Sequence, residues 1–301
     1  MSLLQLLACG GPAVLSPTLD VESDALLSTL PSDVTLVAGG DLAALRDAPL
    51  ARALVSRALL DPDALEASAL ATGVEAWSGV RVGCGGAGCV AVGPGRLRRS
   101  ELETVASTRG LDVDDDGERA ILSAGGVPFA AEARGPFLLA GDLPAVEAFG
   151  RDALASASFR DAIPDGDVWI GARDASTFLA QAADRLDAEG SDEGARLATR
   201  LRDASDSSVA GLARTIGLSL TAGKAMSAVL RVQCVDVMAA REVGWMMDAA
   251  LLRARLAAPE EVDEVLADVA IVRVGDVVEA RVSGTAEGWA DVLALRAEAS
   301  R

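Results

Sequence analysis

From residue 24 onward the chain alternates short apolar runs with polar, Gly- and Pro-containing breaks, and the same order of runs occurs twice. The first pass begins at Asp24-Ala25-Leu26 and reaches Leu30-Pro31-Ser32-Asp33-Val34. The second begins at Asp152-Ala153-Leu154 and reaches Ile163-Pro164-Asp165-Gly166-Asp167-Val168. In each, a short helical stretch stops at proline, which fixes φ and has no N–H to donate. A strand follows, Val34–Ala38 or Val168–Ala172, and each leads to an Asp, Asp41 or Asp174, placed to cap the next helix. Those helices carry Leu42, Leu45, Leu50 and Leu54 in the first pass and Phe178, Ala182 and Leu186 in the second, which adds a further helix at Ala195–Ala204.

Each pass continues with two strands around a Gly-containing turn. Val80–Cys84 pairs with Cys89–Val92, and Ile216–Leu220 pairs with Ala228–Val232. A helix comes next, Ser100–Thr108 or Val235–Leu256. More strands follow at Ala120–Ala124, Phe129–Ala133 and Phe137–Ala140, against Val269–Val274 and Val277–Val282. A closing helix starts near Asp142 or Thr285. This order predicts an α+β protein of two pseudo-repeated halves, each a mostly antiparallel sheet with helices on one face, in a ferredoxin-like grammar. The boundaries are 1–23 for a leader and flexible tether, 24–151 for the first half and 152–301 for the second.

Composition narrows the function. Half of the 301 residues are apolar and 24% are charged, so the chain is globular and large enough for a core without staples. Lys and Arg number 27 against 45 Asp and Glu, a net charge of −18. That balance argues against nucleic acid and anionic headgroups as partners, since both need a basic face. There is no His and no Tyr, which removes His-based triads, the H-E-x-x-H zinc site and His general bases. No cofactor is implied.

The opening, Met1-Ser2-Leu3-Leu4-Gln5-Leu6-Leu7-Ala8-Cys9-Gly10, contains Leu6-Leu7-Ala8-Cys9, which resembles the bacterial lipobox. In that family the Cys is lipidated and becomes the mature N-terminus, so the resemblance implies lipidation of Cys9. A secretory signal has a basic start and 7–15 apolar residues. Neither Lys nor Arg precedes Cys9 and the apolar stretch is short, so a start codon further upstream is expected. Gly10 stands where an Asp retains such lipoproteins at the inner membrane, which favours the outer membrane. Residues 10–23, with Pro12 and Pro17, read as the tether. The two-half pattern resembles uncharacterised envelope lipoproteins of high-GC bacteria over most of the chain, and that resemblance implies no activity.

Several short motifs carry chemistry on paper. Gly83-Cys84-Gly85-Gly86-Ala87-Gly88 satisfies G-x-G-x-x-G, but a strand follows it where a dinucleotide site needs a helix N-terminus. The glycines read as a hairpin turn over Gly85–Gly88. Cys84 and Cys89 then stand opposite each other, with Val82 opposite Ala91. They form either a disulfide, if the chain is exported, or two buried thiols, if it is not. Cys234 alternates in phase with Leu230 and Val232 and reads as core. Asp112, Asp114 and Asp116 match the start of an EF-hand loop, D-x-D-x-D-G, but its twelfth position is Ser123 in place of Glu. They read as a millimolar calcium site or, preferably, a solvated acidic turn.

The Val235–Leu256 helix is the most informative segment. Ala239, Val243, Met246, Met247 and Ala250 form one apolar face. Met238, Trp245 and Leu252 recur every seven residues on another side, with Arg241, Asp248 and Arg255 alongside. That second stripe is either an interdomain contact, with Trp245 half-covered by the other half of the chain, or a partner surface. No catalytic constellation emerges, and Lys224, the only lysine, falls in a turn. The expected function is therefore a non-enzymatic, lipid-anchored envelope protein, periplasmic or surface-exposed, acting as a binding or scaffolding module for an envelope protein partner. One alternative is a carrier enclosing an apolar small molecule near Met238, Trp245, Met246 and Met247. The less favoured one is a His-free carboxylate hydrolase.

Overall fold

The computed structural model describes residues 14–19, 26–40, 48–49, 79–94, 112–115, 119–123, 128–150, 161–174, 210–222 and 225–290, with scattered positions between 100 and 107 and between 159 and 203. Its strands are β1 (Val34–Gly40), β2 (Val80–Gly85), β3 (Gly88–Pro94), β4 (Asp112–Asp115), β5 (Arg119–Ser123) and β6 (Phe129–Arg134). They continue with β7 (Phe137–Asp142), β8 (Val168–Arg173), β9 (Ala213–Ala222), β10 (Ala225–Cys234), β11 (Ala270–Val274) and β12 (Val277–Thr285). The α-helices among the described residues are α1 (Leu143–Ala148), α2 (Val237–Ala257) and α3 (Glu260–Ala267).

The chain is α+β, as its pattern predicts. The strands form one 12-stranded sheet in the order β11-β12-β10-β9-β8-β1-β2-β3-β7-β6-β5-β4. Every pairing in it is antiparallel. A ferredoxin-like unit needs a crossover into a parallel strand; here β8 and β9, separated by a long connection, are antiparallel neighbours. The expected pair of separate sheets is also corrected. β1 and β8 pair from Leu36↔Ala172 to Gly40↔Val168, so the sheet runs unbroken across residue 151. Left apart, each strand would present an edge of unsatisfied N–H and C=O groups.

Side chains alternate across a strand, so register assigns the two faces. Val37, Gly171, Gly217 and Arg231 stand in line on one face through successive pairings. There Val37, Val90, Leu139 and Trp169 pack with Leu27, Leu30, Phe159, Ile163 and Val146 of α1. Val232 and Val278 belong to the opposite face, where they pack against Ala239, Ala240 and Val243 of α2. Among the described residues α1 thus lies on one face, over β3, β6 and β7, and α2 on the other, over β10, β11 and β12. Gly217 lets the 161–165 segment lie directly on β9, since a Cβ there would stand 2.0 Å from the Ala162 carbonyl oxygen.

Part of the expected tether is fastened. Leu19 N donates to Ile163 O at 3.0 Å and Asp165 N to Pro17 O at 2.9 Å, with a bridge between Thr18 and Pro164. Ser16 N donates to Glu279 Oε1 at 2.9 Å, and the Arg231 and Arg281 guanidinium groups donate to Ser16 O and Val14 O. The strap Val14–Leu19 thus satisfies its backbone on the sheet face away from α2. At the far end of β8, Asp174 accepts from Thr177 N at 3.2 Å and Thr177 Oγ1 at 2.7 Å, the cap its position predicts. The Thr177 hydrogen bonds hold its carboxyl below the ordinary range. Asp41 lies outside the described residues.

Candidate functional site: the outer face of the long helix

The 21-residue helix α2 starts where Asp236 accepts a hydrogen bond from Ala239 N at 2.8 Å. Its next turns bury Ala239, Ala240, Val243 and Gly244 against β10, β11 and β12, and Met246 and Met247 flank that contact half-buried. Gly244 is small for a reason: a Cβ there would meet Arg273 Nε at 1.8 Å. Arg273 passes over it to pair with Asp248. Arg255 in the last turn pairs with Asp263 of α3 at 2.7 Å, and its hydrogen bond holds the Asp263 carboxyl below the ordinary range. Two of the three charges along the stripe are thus paired to β11 and α3, from positions that helix spacing alone does not reveal.

The opposite side of α2 is bare. Met238 is 67% exposed, Trp245 69%, Leu252 60% and Leu256 80%. With Val237 they make five of the eleven exposed large apolar residues among those described, which concentrates bare apolar surface on one element. Exposed Glu242 and Ala249 complete the row. Trp245 is therefore not half-covered by the other half of the chain; the inner face of α2 is filled by Ala and Val, and the tryptophan points away from it. Arg241 donates weakly to Met238 Sδ at 4.0 Å and Arg253 to Ala249 O at 3.4 Å; neither makes an ion pair among the described residues. An open groove of about 910 Å³ adjoins the N-terminal end of this row, lined by Leu212, Val235, Met238, Arg241, Trp245 and Arg273. It is not the enclosed cavity between sheet and helices that a carrier of apolar molecules would use.

The remaining candidates are placed as follows. Cys84 and Cys89 are cross-strand partners and are joined in a disulfide, with Val82 opposite Ala91. Gly85 pairs with Gly88, so the turn is the two residues Gly86-Ala87, shorter than the four-residue loop expected. Asp33 and Asp142 brace it, accepting from Ala87 N at 3.0 Å and Cys89 N at 2.7 Å. Strand β3 follows the glycines directly, so no helix N-terminus stands there. Cys234 is buried, and burial, followed by Asp276 and Asp236, pushes its thiol up to about 11. Asp112 and Asp114 lie in the extended strand β4, not in a loop wrapped around an ion, which corrects the calcium reading for these two. Among the described residues no three His, Cys, Asp or Glu cluster as metal ligands. Asp116, Cys9 and Lys224 lie outside the described residues.

Sequence reasoning missed the Arg231–Glu279 pair under the strap. Its signal is a lone charge inside an apolar run, Val229-Leu230-Arg231-Val232 and Val277-Val278-Glu279-Ala280, on strands that face each other.

No family model and no curated protein matches the chain. Two solved structures, crystal forms III and I of TP0453, align with 89% of this chain and with 97% and 96% of theirs. Their identities are 10% and 9%, with TM-scores of 0.48 and 0.45. No helix among the described residues is long and apolar enough to cross a membrane.

Proposed function

We propose that this chain is a non-enzymatic, lipid-anchored protein of the cell envelope, with the outer membrane favoured, and that it works as a binding or scaffolding module through the outer face of α2. One observation carries the reading: Met238, Trp245, Leu252 and Leu256 form an exposed apolar row on a helix that buries Ala239, Ala240, Val243 and Gly244 on its other side. Contiguous bare apolar surface of this kind marks an interaction site, and Trp is a favoured anchor in one. The anchor rests on Leu6-Leu7-Ala8-Cys9, and a Cys84–Cys89 cross-link fits an oxidising compartment. An internal duplication is supported by strand order. Outward from the β1–β8 pair the sheet reads β1-β2-β3-β7-β6 one way and β8-β9-β10-β12-β11 the other.

The test uses the full chain behind a complete export signal. Wild type partitions with membranes and Cys9→Ser is released. A photo-reactive side chain placed at Leu252 gives a discrete adduct with one envelope protein, lost with Met238→Asp. Equal partitioning of the two forms overturns the anchor. No adduct from positions 238, 245 or 252 overturns the docking role.

A further inference from the structure

We infer that the outer face of α2 receives a single α-helix of a partner protein, one that sets a basic residue opposite Glu242 and carboxylates against Arg241 and Arg253. This deepens the binding role proposed above and rests on it. The exposed row Met238, Glu242, Trp245, Ala249, Leu252, Leu256 is spaced four, three, four, three, four. That is the alternation of a helix seam that accepts the knobs of one facing helix, and a single polar member within such a seam sets register. The flanks are set as well. Asp248 and Arg255 are neutralised by Arg273 and Asp263, so the flanking charges left for a partner are Arg241 and Arg253. The row therefore offers apolar contact, one acidic register mark and two cationic flanks, on a chain whose net charge is −18.

Two other occupants fit less well. A second copy of the chain, docked parallel, stacks Glu242 on Glu242. Docked antiparallel with the whole row overlapped, it sets each Glu242 against Leu252 and Arg241 against Arg253. The parallel arrangement buries two facing carboxylates with no cation between them, and the antiparallel one sets each Glu242 against an apolar side chain while leaving no carboxylate for Arg241. A bilayer would take Glu242 into the acyl boundary, and it lies on the wrong side. Only four residues separate Cys9 from Val14, a reach of about 18 Å when fully extended. Val14 is held on the sheet face away from α2, so the sheet and the diameter of a helix, about 10 Å, stand between the leash and the exposed row. An anchor at Cys9 draws the strap face to the membrane and leaves the α2 row turned outward.

The test uses the full chain carrying Cys9→Ser. Two synthetic helical peptides serve as probes, each with a leucine seam: one with Lys opposite Glu242 and Glu on the flanks, the other with those charges reversed. The expected result is at least tenfold tighter binding of the first, with the preference inverted by Glu242→Lys together with Arg241→Glu and Arg253→Glu. Trp245→Ala weakens the first peptide without moving the melting temperature. Equal binding of both peptides overturns the inference. So does pelleting with vesicles of phosphatidylethanolamine and phosphatidylglycerol, or self-association that Trp245→Ala abolishes. If the photo-reactive side chain at Leu252 still captures a protein while neither peptide binds, the docking role stands and the helical partner falls. If nothing is captured, the docking role itself falls.

Discussion

Arg231 on β10 and Glu279 on β12 stand directly opposite each other, 1% and 0% exposed, with Nη2 and Oε2 2.7 Å apart. Glu279 accepts on both oxygens, from Arg231, Arg281 and Ser16 N, while Arg231 also donates to the carbonyls of Asp161 and Ser16. The pair is a socket for main chain: besides the Arg281 guanidinium, its outer partners are backbone groups of the strap and of the 161–165 segment. A buried charge pair of this kind is conserved energetically only as a unit, since removal of one partner strands the other away from water.

Arg231→Met is therefore expected to destabilise the fold by about 3–5 kcal/mol, the usual cost of breaking a buried pair from one side. Arg231→Met with Glu279→Leu costs less than the single change. Urea denaturation reads both, and proteolysis within residues 14–19 rises in each, more in the double variant, because Ser16 loses one partner in the single change and both in the double.

The strap should loosen in acid. Burial raises the Glu279 carboxyl, but hydrogen bonds from Ser16, Arg231 and Arg281 outweigh it and hold it below its ordinary value. A folded value lower than the unfolded one gives stability that is fully present above about pH 4.3 and is lost as pH falls through the folded value. Amide exchange at Ser16 reads this: protection is constant from neutral pH down to that point and falls below it. Protection that fell on raising the pH would contradict it.

Reduction of Cys84–Cys89 should cost about 2 kcal/mol, because the loop it closes is short. Cys84→Ser with Cys89→Ser should lower the urea midpoint by the same amount as dithiothreitol does in wild type. A reductant that leaves the midpoint unchanged would show that the paired strands and the Asp33 and Asp142 hydrogen bonds hold the hairpin alone.

Trp245→Ala should change stability by no more than about 0.5 kcal/mol, as for an exposed position. Val243→Ala, two residues away on the buried side, should cost about 2–3 kcal/mol through the cavity it leaves. A melting curve of each variant separates the two faces of α2, and a large loss from Trp245→Ala would place that ring in the core after all.

Much of this fold is written in its local patterns. The Gly-containing turn between Cys84 and Cys89 fixes their register because a hairpin leaves little freedom, and the Pro and Asp punctuation locates β1, β8 and the Asp174 cap. What local pattern does not reveal is which face of a strand meets which layer. In β9 Leu218 is exposed while Thr215 and Ser219 are buried, because the strap and the 161–165 segment close over the other face. Arg231 and Glu279 were hidden for the same reason, since each becomes a buried group only when distant segments meet. The bare row on α2 was visible as a period of seven. Its exposure was not, because that depends on Ala239, Ala240 and Val243 being enough to fill the space beneath the helix.

The join between β1 and β8 also has a kinetic side. Val37 pairs with Gly171, and Ser16 is held by a residue 263 positions further on, so the middle of the sheet and its outer fastening are both built from remote contacts. Contacts of such separation carry a large loop-closure cost and slow the search for the native state. The open side of β1 stays unpaired until β8 has been made, a template for wrong partners during that interval. Once the join forms, neither half has an independent boundary at which to come apart, so unfolding should proceed as one transition and not as two.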